Sequence, residues 1–200
     1  MIFSTVFLAA EDVTGLAIGR KLLANAKPLT IYREYNGHGF GRLKANVANY
    51  CQMGQQGIPV IMFTDLDHAR CAPSLIENWL GRKPSENFLF RVCIREVESW
   101  LLGHSTAIAE LLRLPLSRIP VDPEAISDPK AALIQLAQRS PAKIRQALTP
   151  IGTAAIGPGY NELMVEFIQT SWEPEVAEEH CPSLLKARLR IAELARRVSS

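Results

Sequence analysis

The stretch that decides the fold is Ile58-Pro59-Val60-Ile61-Met62-Phe63-Thr64-Asp65-Leu66-Asp67. A continuous apolar run of this length is typical of a central strand in a parallel sheet, which is buried on both faces. The run ends in two aspartates, and another strand-like segment near the N-terminus is followed by Glu11. Because the carboxyl ends of parallel strands meet along one edge, the sequence predicts an acidic cluster at that edge.

Strand-like and helix-like segments alternate through the first half of the chain. Hydrophobic periodicity predicts strands over 2–9, 29–35, 58–64 and 88–94, and helices over 13–25, 43–53 and 73–80. This order calls for right-handed crossovers and a mainly parallel sheet with helices on both faces. The fold class is therefore predicted to be α/β.

The pattern changes after about residue 98 to helices separated by prolines. Further helices are predicted over 100–114, 131–139, 142–148, 161–170 and 183–198. We expect two parts, an α/β core over 1–115 and a helical C-terminal extension over 116–200 that packs on the core.

Composition excludes several classes of protein. With 48% hydrophobic and 21% charged residues, the 200-residue chain can bury a full core, which argues against disorder. A formal charge of only +2 argues against a strong polyanion binder. Four widely scattered cysteines predict reduced thiols in a cytoplasmic protein, and the absence of a long apolar run predicts no membrane span.

Three acidic residues provide the first chemical signal. In an extended segment Asp65 and Asp67 point to the same side, with Cα atoms roughly 6 to 7 Å apart. Glu11 is expected beside them, and carboxylates in this arrangement suit one or two hard cations such as Mg²⁺ or Mn²⁺. The alternative is that the aspartates only cap the helix that follows.

A second acidic pair, Glu96 and Glu98, follows the predicted fourth strand. If the segment is still extended, both side chains face one way, whereas in a helix they lie about 200° apart and only one can reach the site. A third interpretation is a helix start enriched in acids that suit its dipole. The sequence leaves these alternatives open.

Basic residues at a glycine-rich turn are candidates for binding phosphate. Arg42 and Lys44 follow Gly37, Gly39 and Gly41 where a helix is predicted to start, and free N-H groups at such a start attract phosphate. Further along the chain, Asp128 and Lys130 are interpreted as an ion pair at another helix start.

An ordered set of motifs resembles the Toprim fold, the metal-binding α/β domain of topoisomerases, primases and OLD nucleases. More closely, the chain resembles an uncharacterised bacterial Toprim-like family of about this size. The resemblance covers most of the chain and rests on these stretches: Glu11-Asp12, Gly39-Phe40-Gly41-Arg42-Leu43-Lys44, Thr64-Asp65-Leu66-Asp67, Arg95-Glu96-Val97-Glu98-Ser99-Trp100-Leu101-Leu102, Asp128-Pro129-Lys130 and Gly157-Pro158-Gly159-Tyr160-Asn161.

The resemblance implies Mg²⁺- or Mn²⁺-dependent cleavage of phosphodiesters. It implies metal binding by Glu11, Asp65 and Asp67, an additional acid from Glu96 or Glu98, and catalytic roles for Glu11 and Glu98. It also implies nucleic acid as a partner, together with a protein partner or a second copy of the chain.

The chain departs from the family pattern at two places. It has His104 where relatives often have an aspartate after Leu-Leu-Ala, and it lacks the usual glycine directly after Glu11.

Two functions from different classes follow from these features. The first is a metal-dependent nuclease or related phosphotransfer enzyme, and the second is a catalytically silent Toprim-like module that binds metal or nucleic acid and works through a partner. A phosphatase of the haloacid dehalogenase type also uses Asp-x-Asp, but that motif normally lies on the first strand and continues to Thr or Val, where Ala69 stands here.

Overall fold

A four-stranded, entirely parallel sheet forms the centre of the protein. The computed structural model describes residues 5–26, 29–81 and 83–198. The strands are β1 (Thr5–Ala10), β2 (Thr30–Asn36), β3 (Val60–Asp65) and β4 (Phe88–Cys93), in the order β2-β1-β3-β4. The predicted α/β class is confirmed, while positions 2–4 of the predicted first strand lie outside the described residues.

Helices surround this sheet and make up the second half of the described chain. Those of the first half are α1 (Val13–Ala24), α2 (Phe40–Ala45), α3 (Val47–Gln55) and α4 (Ala72–Leu80). After β4 come α5 (Val97–Gly103), α6 (Ser105–Leu112), α7 (Pro129–Ala137), α8 (Ala142–Leu148), α9 (Tyr160–Thr170), α10 (Pro174–Ala177) and α11 (Pro182–Val198). Two short 3-10 turns, Leu116–Arg118 and Pro123–Ala125, lie between α6 and α7.

Two predicted helices are each divided into two. The helix expected over 43–53 breaks at Asn46, whose side-chain amide donates to the Arg42 carbonyl and to the Tyr35 hydroxyl. The helix expected over 100–114 breaks at His104, whose Nδ1 accepts the N-H of Glu173 at 3.0 Å. Polar side chains that bond elsewhere interrupt the helical pattern at both points, and hydrophobic periodicity does not reveal this.

Two apolar clusters bury the two faces of the sheet. Side chains of β1 alternate between them, with Val6, Leu8 and Ala10 in one cluster and Phe7 and Ala9 in the other. The cluster of Val6 also contains buried residues of α1, α5, α6, α7, α9 and α11, whereas the other contains residues of α2, α3 and α4. The helices after residue 115 therefore pack on the same core as the sheet.

Within the described part of the chain, no helix combines the length and apolar character that crossing a membrane requires.

Candidate functional site

The candidate site lies where the order of the strands changes direction. From β1 the chain moves to β2 on one side, while β3 lies on the other side of β1. In open α/β sheets, ligands bind in the crevice at the carboxyl ends of strands at such a switch point. Glu11 directly follows β1 and Asp65 ends β3, so the fold brings these two carboxylates to this crevice.

Glu11 is held by the end of β3. Its Oε1 accepts a hydrogen bond from the Thr64 hydroxyl and another from the Asp65 N-H at 3.0 Å. Burial raises the pKa of Glu11 above its usual value, although both hydrogen bonds oppose this. The neighbouring Asp12 has a structural role, because it caps α1 by accepting the Gly15 N-H at 2.8 Å.

Asp65 connects β3 to the start of α5. Its Oδ1 accepts the N-H of Val97, the first residue of α5, at 2.9 Å. Burial, followed by the negative charges of Glu98 and Glu11, raises the pKa of Asp65 well above its usual value. The carboxylates of this site are therefore close enough to raise the pKa of Asp65, and a positive charge among them would be stabilising.

Asp67 corrects one geometric expectation. The extended segment ends at Asp65, and Asp67 is exposed with a φ of 47°, while its N-H donates to the Arg95 carbonyl at 2.9 Å. The prediction that Asp65 and Asp67 lie in one extended segment is therefore wrong. The charge of Asp67 still contributes to raising the pKa of Glu11, which places it in the same neighbourhood.

Glu96 and Glu98 both approach the site, in a way that neither simple alternative describes. Glu96 is still extended and immediately precedes α5, whereas Glu98 lies in the first turn of that helix and is fully buried. Because only Glu98 is helical, the 200° separation expected of a helical pair does not apply. Both carboxylates contact one cation, the ammonium of Lys130.

Lys130 and Tyr160 complete this part of the site. The Lys130 Nζ lies 3.4 Å from Glu98 Oε1 and 3.8 Å from Glu96 Oε1, and the Tyr160 hydroxyl donates to Glu98 Oε1 at 2.9 Å. Burial raises the pKa of Glu98 to about 7, although Lys130 and Tyr160 act in the opposite direction. Burial lowers the pKa of Lys130, but the charges of Glu98, Glu96 and Asp65 outweigh this and raise it above its usual value. Lys130 is therefore a charged internal partner of the acids.

The two predicted phosphate-binding residues are placed differently. The glycine turn before α2 is tied to the end of β1, because the Gly39 N-H donates to the Glu11 carbonyl at 2.8 Å. Arg42 follows on α2 and is exposed. The Lys44 ammonium lies 5.8 Å from the centre of the Trp79 ring, in a cation-π arrangement. Lys44 thus has a structural partner, while Arg42 is the more available of the two.

The carboxylates of this site suit a hard cation that keeps water ligands better than a metal ion held by protein ligands alone. Among the described residues, no group of three or more His, Cys, Asp and Glu side chains is arranged to hold a metal ion. Glu11 Oε2 and Asp65 Oδ2, however, accept no hydrogen bond from the described residues. A cavity of about 10 Å³ lies between these residues, and roughly this volume holds one water molecule. Mg²⁺ is commonly bound by one or two carboxylates, with water completing its shell, and Glu11 and Asp65 provide two carboxylates.

Three residues contribute to the site although the sequence did not predict them as members of it. They are Thr64, Tyr160 and Lys130, the last of which was interpreted as a partner of Asp128. Asp128 instead caps α7 by accepting the Ala131 N-H at 2.8 Å, and the ion pairs of Lys130 are with Glu96 and Glu98. All three lie inside motifs of the Toprim-like set, so the motifs pointed to them without indicating their function.

His104, one of the two departures from the Toprim-like motifs, is buried at the opposite end of α5 from Glu96. Its Nδ1 accepts the Glu173 N-H, and burial lowers its pKa. It therefore acts as a helix-end residue in this structure.

A larger groove of about 540 Å³ lies elsewhere, along β4 and α11. Its lining includes Arg91, Arg190 and Arg197, and none of the acidic residues described above. The volume of a cavity alone therefore does not identify the acidic candidate site.

The chain matches no protein-family model, no curated protein and no solved structure. The Toprim-like resemblance therefore remains a prediction from the motifs.

Proposed function

We propose that this protein is a Mg²⁺- or Mn²⁺-dependent, Toprim-like protein that cleaves phosphodiesters, as a nuclease does. The observation that carries the proposal is the pairing of Glu11 and Asp65 at the switch point, each with one carboxylate oxygen that no described residue engages. A crevice at this position with two such oxygens is suited to a hard cation and the phosphate that it binds.

In this proposal Glu11 and Asp65 hold the ion. A bound divalent ion would polarise the phosphoryl oxygens and make its bound water more acidic. Asp67 is an exposed carboxylate near Glu11, while Glu96 and Glu98 shape the remaining side of the site through Lys130.

Glu11 is the proposed proton acceptor. As water oxygen forms a bond to phosphorus, the bond from phosphorus to the leaving oxygen breaks, one water proton passes to Glu11, and solvent protonates the leaving oxygen. A general base works best when its pKa lies near the operating pH, and burial moves the pKa of Glu11 in that direction. Glu98, with a pKa of about 7, can also change its charge near neutral pH, but it is fully buried.

The proposed substrate is nucleic acid, with Arg42 as the first candidate to contact its phosphates and Lys44 as the second. A protein partner or a second copy of the chain is proposed to complete the working assembly. We propose the cytoplasm as its location, supported by the four free cysteines, of which three are buried.

The test is a cleavage assay with Mg²⁺ or Mn²⁺ on single-stranded DNA, duplex DNA and RNA. Glu11→Gln keeps the acceptor oxygen for Thr64 and Asp65 but removes the second carboxylate oxygen, and with it both the proposed ion ligand and the proposed base, so we expect activity to fall by about 100-fold or more. Glu77→Gln on the exposed face of α4 makes the same chemical change away from the site and should leave activity unchanged. Equal activity in the wild type and Glu11→Gln would rule out the assigned role.

A second candidate function is the catalytically silent module. The observation that favours it is that the Lys130 ammonium contacts both Glu96 and Glu98, and so competes with a metal ion for these two acids. Metal binding that depends on Asp65, without cleavage of any of the three substrates, would favour the module over the enzyme.

A further inference from the structure

The side chain of Lys130 stands where an acidic cluster of this kind would otherwise hold an ion. Its ammonium contacts Glu98 and Glu96, and the charges of Asp65 and Asp12 also act on it. Two hard cations at one cluster would compete with this ammonium for the same carboxylates. The structure therefore raises the question of how many ions the cluster can accept.

Lys130 is fixed in the cluster from both its backbone and its side chain. The Lys130 N-H donates to Glu96 Oε2 at 2.9 Å, so Glu96 holds the start of α7 while its other oxygen faces the ammonium. Asp128 caps the same helix start. The side chain is only 29% exposed, so moving it out of the cluster would break its contacts with Glu96 and Glu98.

Glu98 carries an oxygen that no group in the described structure satisfies. Glu98 is fully buried, and its Oε1 contacts the Lys130 ammonium and accepts a hydrogen bond from the Tyr160 hydroxyl. Its Oε2 has no hydrogen-bond partner among the described residues. A buried carboxylate oxygen without a partner is costly and rare. Glu98 Oε1 and Glu96 Oε1, the two oxygens that contact the ammonium, would form a ligand pair for a cation if the ammonium were removed.

The cavity on the other side of the cluster is small. The cavity beside Glu11 and Asp65 has a volume of about 10 Å³, which is about the least space that admits one water molecule. Glu11 Oε2 and Asp65 Oδ2, on this side of the cluster, accept no hydrogen bond from the described residues. One divalent ion at this position and the Lys130 ammonium at the other would together supply three positive charges beside the four carboxylates of Glu11, Asp65, Glu96 and Glu98.

We propose that Lys130 permanently fills one of the two cation positions of the acidic cluster, so that the protein binds one divalent ion, at Glu11 and Asp65, instead of two. This inference rests on the proposed function for the presence of a metal at Glu11 and Asp65. It adds the number of ions and the residue that limits that number.

The test is calorimetric titration of Mn²⁺ into the full chain and its variants. We expect one ion per chain in the wild type and in Lys130→Arg, which keeps the charge. Lys130→Gln removes the charge at similar size, so we expect two ions, the second at Glu96 and Glu98. Adding Asp65→Asn to Lys130→Gln should return the number to one, because the position at Glu11 is lost.

Two results would overturn the inference: two ions in the wild type, or one ion in a folded Lys130→Gln. A wild type and a Lys130→Gln that both bind no Mn²⁺ would overturn the proposed metal dependence itself, which is a distinguishable failure. If Lys130→Gln does not fold, electron paramagnetic resonance of the Mn²⁺-loaded wild type decides. An isolated Mn²⁺ signal supports one ion, and a spin-coupled pair overturns the inference.

Discussion

Replacing Glu98 by glutamine should change how the stability of the protein depends on pH. Glu98 is fully buried, with one oxygen shared by Lys130 and Tyr160 and the other without a partner among the described residues. Burial raises its pKa from the usual 4.5 to about 7. Glutamine keeps the shape and the acceptor oxygen but does not titrate, so it isolates the effect of the charge.

The sign follows from proton binding. Because folded Glu98 binds its proton more tightly than unfolded Glu98, its contribution to stability is complete below about pH 4.5 and is lost as the pH rises through about 7. At about 1.4 kcal/mol for each pKa unit, the whole effect amounts to about 3 kcal/mol. Between about pH 5 and pH 8, the unfolding free energy of the wild type relative to Glu98→Gln should therefore fall by roughly 2 to 3 kcal/mol.

Urea unfolding at a series of pH values, with a chelator present to exclude metal ions, measures this difference directly. Glu77→Gln is the matched control, because it makes the same change at an exposed position of α4. Its stability relative to the wild type should hardly vary over the same range. If the difference between the wild type and Glu98→Gln is equally flat, the assignment of a raised pKa to Glu98 is refuted.

Three further predictions concern the scaffold of the site. Thr64→Val removes the hydroxyl that donates to Glu11 while keeping the shape of the side chain. Urea unfolding at neutral pH should show that the free energy of unfolding falls by about 1 to 3 kcal/mol. An unchanged free energy of unfolding would mean that this hydrogen bond does not stabilise the fold. Gly157→Ala would drive a methyl group into the Ala147 carbonyl oxygen and should lower the melting temperature by several degrees, whereas Gly41→Ala on α2, with open space around it, should leave it unchanged or raise it. Leu133→Ala on α7 should lower the free energy of unfolding by about 2 to 5 kcal/mol, because this buried residue belongs to the cluster that joins the C-terminal helices to the sheet. Circular dichroism and tryptophan fluorescence should report the same single unfolding transition. Two separate transitions would contradict one shared core.

Much of the fold follows from local sequence patterns. The apolar run that ends at Thr64 and the strand-like segments on either side predict the parallel sheet, and the observed strands differ from the predicted ones by only a few residues at their ends. The divided helices are different, since Asn46 and His104 interrupt otherwise regular apolar periodicity through hydrogen bonds to partners elsewhere.

The sequence by itself determined which acids stand after strands, because strand ends can be recognised from the apolar residues before them. It therefore placed Glu11, Asp65 and the pair Glu96 and Glu98 at one edge of the sheet. Only the tertiary structure decided that Lys130 lies among them. Lys130 is separated from Glu96 by 34 residues, and the contact exists because α7 packs against α5 and points its first turn at the cluster. No local pattern carries that information, since the charge balance of the site depends on residues that only the packing of helices brings together.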